Sequence, residues 1–187
     1  MTALITLEDY KKYKKLTKTD SDEELGAIIS SVSSLIKNYC GHSFIDYYTE
    51  SKTEVFNIKS SQHAILLNEW PVKTVSLVEY RDSYDESYAT LDSSEYYVDT
   101  SIDTIFKHSG FWPEGFGSVK VTYTAGYAST PEDIKIAALD LVHHYHKEEY
   151  KERKSIGNAS IDTGLSKMGT SKWPPHVSRV LELYRNG

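Results

Sequence analysis

Apolar positions along the chain change their spacing twice. Leu25, Ile28, Ile29, Val32, Leu35, Ile36 and Tyr39 recur every three or four residues, which predicts a helix over about 22–40 with Gly41 at its C′ position. Ser21 and Glu24 form a capping-box pattern at its start. Ahead of it, Thr6 with Asp9 three residues on predicts a short helix over about 7–17. Near the other end, Thr130-Pro131-Glu132-Asp133 supplies an N-cap, Pro at N1 and acids in the first turn. Ile134, Ala137, Ala138, Leu141, Val142 and Tyr145 give that helix a buried stripe, and the Glu149–Arg153 pair carries it to about Lys154. Residues 155–172, rich in Gly, Ser, Thr and Asn, read as a mobile loop. After Trp173-Pro174-Pro175, Val177, Val180, Leu181 and Tyr184 share one face of a last short helix.

Between these helices the period shortens to two. The runs 53–58, 63–67, 72–80, 95–99, 104–106 and 118–124 are β-branched or aromatic and bounded by turn residues. Residues 82–94 form a polar, acidic hairpin or loop. The expected fold is α+β: a helical body from residues 1–41 and 128–187, with an antiparallel β module inserted at 42–127.

Charge sharpens this division. Residues 42–127 hold thirteen acids against six bases, whereas residues 1–41 hold six of each and residues 128–187 hold eight acids and nine bases. The inserted module, at −7, therefore carries essentially all of the chain's net charge of −6, and the two parts are expected to face different partners or environments. Such a balance excludes a basic nucleic-acid-binding domain as a description of the whole chain. No apolar run approaches the roughly 20 residues of a membrane span, and residues 1–6 lack the pattern of a signal peptide. One cysteine, Cys40, excludes a disulfide framework and points to cytosolic synthesis. The 15 Tyr against 5 Phe offer large area with a polar tip, suited to subunit interfaces or to half-exposed strands.

No catalytic constellation assembles from the sequence. His143, His146 and Glu149 share a helix face, the spacing a metal-dependent enzyme would use, but His-Glu-x-x-His is absent and a solvated histidine flank explains them as well. Asp82, Asp85, Glu86, Asp92 and Glu95 lack the EF-hand pattern and read as a solvated hairpin. Gly110, Gly115 and Gly117 around Trp112-Pro113 are turn residues, not a phosphate loop. Cys40 ends an apolar stripe and reads as a small buried hydrophobe. Lys11, Lys12, Lys14, Lys15 and Lys18, interleaved with Tyr10 and Tyr13, form a basic aromatic surface for an acidic protein or nucleic acid, or a solvated face. A β-rich module binding ligands on Tyr and Trp platforms is a further alternative.

A sequence of small features carries more information. Val119 to Tyr127 is a strand ending in a Gly-Tyr turn, and Thr130-Pro131 then opens a helix. Leu66 to Val75 holds a Pro-Val-x-x-Val element after a strand, Tyr96 to Asp99 reads Tyr-Tyr-Val-Asp, Trp112-Pro113 marks a turn, and Pro174 to Arg185 ends in Leu-x-x-Tyr-Arg. In order and spacing this resembles the head–tail connector (adaptor, head completion) proteins of tailed bacteriophages and related gene-transfer particles, in the longer form with a β insertion. The loop 155–172 departs from that pattern. The resemblance implies a structural virion protein, without catalysis, cofactor or membrane. It implies a ring, typically of twelve subunits, beneath the portal protein at the head–tail interface, after assembly in the host cytoplasm. The ring extends a channel that passes DNA without specific binding and presents a platform to a stopper or tail-proximal neck protein. Within it the last helix is expected to contact a neighbour or the portal through Trp173, Val177, Val180, Leu181 and Tyr184, with Arg179 and Arg185 pairing partner acids. The alternative, that this helix caps its own core, stays open.

Overall fold

The structure is a computed structural model that describes residues 2–147 and 173–185. The chain is α+β and separates into two compact units, residues 1–42 with 130–187 and residues 43–129.

The first unit holds helices α1 (Leu7–Lys14), α2 (Asp22–Cys40), α3 (Glu132–His146) and α4 (Pro175–Arg185). A capping box starts α1: the Thr6 hydroxyl accepts from Asp9 N–H at 3.1 Å, and the Asp9 carboxylate accepts from Thr6 N–H at 2.9 Å. This helix stops three residues short of the expected end, because Lys15 turns left-handed (φ 54°) and its N–H returns to the carbonyls of Lys11 and Lys12. At α2 the expected capping box is not formed. Ser21 sits at φ −110°, ψ 13°, away from the extended N-cap geometry, and its side chain makes no cap. The other end ends as foreseen, with Gly41 left-handed at φ 66°. At α3, Pro131 occupies the N-cap itself and Thr130 does not cap; its hydroxyl donates to the Leu4 carbonyl at 2.7 Å.

That last bond is part of a tether that residue spacing does not reveal. Leu4 and Ile5 are buried, Leu4 N–H donates to Ser33 Oγ at 3.0 Å, and buried Lys37 donates Nζ–H to the Thr2 carbonyl at 2.7 Å. The N-terminal residues thus join the core of α2 and α3, which is built from Leu25, Ile29, Val32 and Ile36 against Ile134, Ala138, Leu141 and Val142. The continuation of α3 to Lys154 with the Glu149–Arg153 pair, and the loop 155–172, lie outside the described residues.

The second unit is all antiparallel. A four-stranded sheet has the order β1-β7-β3-β4, formed by β1 (Lys52–Ile58), β3 (Val72–Tyr80), β4 (Ala89–Thr90) and β7 (Gly115–Ala125). A three-stranded sheet, β2-β6-β5, is formed by β2 (Ala64–Leu66), β5 (Tyr96–Asp99) and β6 (Thr104–Lys107). The long strand β7 is central, pairing Val121 with Glu54 on one side and Val78 on the other. Its period-two pattern buries Val119, Val121, Tyr123 and Ala125, which meet Ile65 and Ile105 of the smaller sheet in one core. Trp112 belongs to that core, its indole N–H donating to the His63 carbonyl at 2.8 Å.

The Gly-Tyr turn after β7 has a specific cause. Gly126 takes φ +97° and donates its N–H to the Pro71 carbonyl at 2.8 Å, while Tyr127 N–H donates to the Phe44 carbonyl at 2.8 Å. A Cβ on Gly126 would lie 2.1 Å from the Phe44 oxygen. Backbone meets backbone there, so neither side can yield without breaking the pairing.

Two expectations follow from these contacts. Gly126→Ala should destabilise the β unit by ~3 kcal/mol or more, read as a lowered urea midpoint; a loss under about 0.5 kcal/mol would contradict the close approach. Asp9 also pairs with Lys135 at 2.8 Å, and that pairing, with the Thr6 N–H and hydroxyl, pulls its pKa down to about 2. Its ionised form is therefore the stabilising one, in full above the ordinary carboxylate range and lost as pH falls towards 2. Asp9→Ala should cost about 1 kcal/mol at pH 7. The gap to wild type should persist to about pH 4 and close below it, as followed by thermal melts; a gap independent of pH down to 2 would refute the assignment.

Candidate functional site

The C-terminal helix α4 lies on α2 and α3 within the helical unit. Val177 and Leu181 are 0% exposed and form its inner edge. Three polar contacts fix its rotation. Tyr184 donates its hydroxyl to the Asp133 carboxylate at 2.9 Å, Tyr39 donates to Glu182, and the Cys40 thiol donates to the Leu181 carbonyl at 3.7 Å. Trp173, half-buried, meets the Tyr39 ring edge-on with centroids 4.4 Å apart.

The seven residues expected to contact a partner therefore divide. Val177 and Leu181 are consumed by their own core, Val180, Tyr184 and Trp173 are half-buried, and Arg179 and Arg185 are exposed. Arg185 sits over the Tyr39 ring at 5.1 Å and 3.4 Å from Glu182. On the outer side stands Leu183, 75% exposed, which the repeating apolar pattern does not include. Its apolar side chain breaks the polar face of an otherwise amphipathic helix, and that was the available signal. A groove of 540 Å³ runs beside α2 where it meets α3, lined by Ala27, Ile28, Val32, Leu35 and Tyr145.

Residues weighed for chemistry have structural partners. The His143 ring nitrogen Nδ1 lies 3.3 Å from the Tyr10 hydroxyl, His146 meets the Tyr10 ring edge-on, and His144 is buried. Glu149 lies outside the described residues, and among the described residues no group of three His, Cys, Asp or Glu converges on a point. No helix among the described residues is long and apolar enough to cross a membrane.

The β unit holds a buried polar cluster instead of an apolar plug at one end of β1. Lys52 Nζ lies 2.7 Å from Glu54 and 3.1 Å from Glu69. Tyr123 donates its hydroxyl to Glu54 at 2.6 Å and accepts Glu69 N–H at 3.1 Å, and Ser43 donates its hydroxyl to Glu69 at 2.7 Å. Burial, then the Glu54 carboxylate, push the Tyr123 phenol well above its ordinary range, so it remains a donor. Every carboxylate in the cluster has a partner, which makes it a device for fixing the strand ends rather than a reactive centre.

Among the described residues these two units define a structural scaffold: tied helices, a braced β unit and outward-facing apolar residues. The family model of the Head completion protein matches residues 3–187, and the chain belongs to that family. It is a structural head–tail connector, not an enzyme. The head completion protein of Escherichia phage T5 is 25% identical over 182 residues, spanning 97% of this chain and 98% of that protein. Chains of solved gene transfer agent particles share the fold. A chain of the neck of an empty gene transfer agent particle, computed with C6 symmetry, matches at TM-score 0.64 and 16% identity, over 99% of this chain and 93% of that one. A chain of the neck of the native particle, computed with C12 symmetry, matches at TM-score 0.57 and 16% identity, over 99% and 92%.

The same seat that holds α4 silences the cysteine. Burial, then the charge of Glu182, push the Cys40 thiol up to about 12. Iodoacetamide at pH 8 should label Cys40 only in denaturant; labelling of the folded chain at the rate of a free thiol would show that α4 leaves its seat.

Proposed function

We propose that this protein is the head–tail adaptor that forms a ring below the portal, extends the DNA channel and carries the next neck or tail protein. The observation that carries this reading is the match of nearly the whole chain, both units included, to chains of particle necks computed with C6 and C12 symmetry. The ring is of twelve copies of this chain, with the portal protein on one side and a stopper or tail-proximal neck protein on the other. It is part of the virion, and it is made in the host cytoplasm before it joins the filled head. The acidic balance of the β unit suits a path for DNA, since a wall without clustered cations does not hold phosphates and slow transit.

Within this reading α4 is the contact element, used through its outer side. Val177 and Leu181 anchor it; Arg179, Leu183 and Arg185 are presented, and Trp173, Val180 and Tyr184 flank them. A rigid helix with one exposed leucine between two arginines fits an apolar pocket rimmed by acids on the portal or on a neighbour.

The test is imaging of purified heads and of heads supplied with this protein. A ring at the portal vertex that appears only on addition supports the reading, and heads that bind none of it overturn it. Arg179→Glu combined with Leu183→Glu should leave the thermal midpoint within about 3 °C, since both side chains lie outside the core. The same variant should join heads at least about tenfold less well. Unchanged joining would remove α4 from the contact.

A further inference from the structure

The surface of this chain carries two features that match each other, and we infer that they meet between neighbouring copies: the lysine-rimmed groove beside α1 receives the acidic, tyrosine-tipped loop 82–86 of the next subunit. This rests on the ring reading above and names one of its contacts.

The groove is a 690 Å³ hollow along α1 and the chain that follows it. Leu7 and Leu16 give it apolar lining, and Leu16 is 40% exposed. Lys11 is fixed on one wall by its 2.9 Å ion pair with Asp22. Lys12 and Lys15 stand on the rim, exposed, and have no ion-pair partner among the described residues. The left-handed turn at Lys15 ends α1 there and aims the chain back past Leu16, which opens the hollow. A phosphate backbone is a poor fit, because the apolar lining offers it nothing and Glu8 and Asp22 line the same hollow. An acidic segment with one large apolar or aromatic side chain is a good fit.

The chain itself carries such a segment. The loop after β3 reads Arg81-Asp82-Ser83-Tyr84-Asp85-Glu86, and every residue from Asp82 to Glu86 is exposed. Asp82, Asp85 and Glu86 have no ion-pair partner among the described residues. Tyr84 projects between them at 72% exposure. It is nevertheless held in place. Arg81 donates Nη1–H to the Tyr84 carbonyl at 2.8 Å and lies 4.5 Å from its ring centroid, and Arg81 is itself held by the Gly117 carbonyl at 3.0 Å. A pre-positioned aromatic tip loses little freedom on docking. The two surfaces lie on different units of the chain, so a contact between copies is head-to-tail. That type of interface closes rings, whereas a self-matching surface gives a dimer.

A crosslink and a charge swap test this together, both on the full chain in assembled particles. In a Cys40→Ser background, Lys15→Cys and Tyr84→Cys should give, on mild oxidation, a ladder of disulfide-linked multimers on a denaturing gel, and neither single variant should. Lys12→Glu with Lys15→Glu should lower the yield of ring-bearing heads at least about tenfold, and adding Asp82→Lys with Asp85→Lys should restore most of it. Rings that assemble normally without the ladder, or a charge swap that deepens the defect, overturn the pairing and leave the ring reading intact. A crosslink confined to single chains also overturns it. Absence of any ring in wild-type particles removes both.

Discussion

The helical body depends on joining two pieces of chain that the whole β unit separates. Helices α1 and α2 come before it and α3 and α4 after it, yet they share one core. Closing so long a loop costs entropy that grows slowly with length, but the ends must be brought together before any helix contact repays it. The β unit does this itself. Phe44 near its start and Gly126 near its end exchange backbone contacts at a distance only glycine permits, with Ala125 N–H on the Tyr47 carbonyl at 2.9 Å beside them. The Leu4–Thr130 and Leu4–Ser33 bonds then lock the N-terminal segment across the joint between the two halves of the body.

The high tyrosine content has a physical explanation in this arrangement. In the helical unit, Tyr13 reaches Asp140 at 3.0 Å, Tyr39 reaches Glu182, and Tyr184 reaches Asp133. Each pair links two different helices through a phenol whose ring packs while its hydroxyl stays at the wet edge. The hydrogen bonds to carboxylates raise the phenols of Tyr13 and Tyr39 above their ordinary range, so they remain donors across the pH at which particles assemble. Phenylalanine would fill the same space and take one donor from each of those carboxylates. The sequence pointed to half-wet positions for tyrosine; it did not show that helix-to-helix pegs are one use of them.

Legibility of the fold followed the strength of the period. The stripe from Leu25 to Tyr39 was readable because seven apolar residues repeat along one face, and β7 was readable because it is central and buries alternate side chains. Features set by single contacts were not readable. Thr130 looked like a cap and instead bonds Leu4, and Ser21 with Glu24 had the right spacing while the backbone at Ser21 had the wrong angles. Spacing reports which side chains could meet, whereas a cap forms only if φ and ψ at one residue allow it. The residues of α4 show the same limit from the other side. Val177, Val180, Leu181 and Tyr184 were found because they repeat, and repetition marks the face a helix buries, whether against a partner or its own body. Leu183, which repeats with nothing, is the one left outside.

That asymmetry bears on how a connector can be both stable and adhesive. A helix that presented its whole apolar face would leave its own subunit without part of its core, and the free chain would expose Val177 and Leu181 to water, at about 1.5–3 kcal/mol each. The observed division avoids this conflict. Burial of the repeated residues fixes α4, the tyrosine and thiol contacts fix its rotation, and one leucine with two arginines remains outward at a defined position. The loop carrying Tyr84 repeats the same logic in the β unit, where Arg81 and Gly117 hold a single exposed ring in place. In both places the exposed group is a single side chain held by fixed neighbours. In the proposed ring, many weak, pre-positioned contacts add only when copies stand side by side, since each linked contact raises the effective concentration of the next. A subunit that joins a ring, as proposed above, is served by that arrangement better than by one large sticky face.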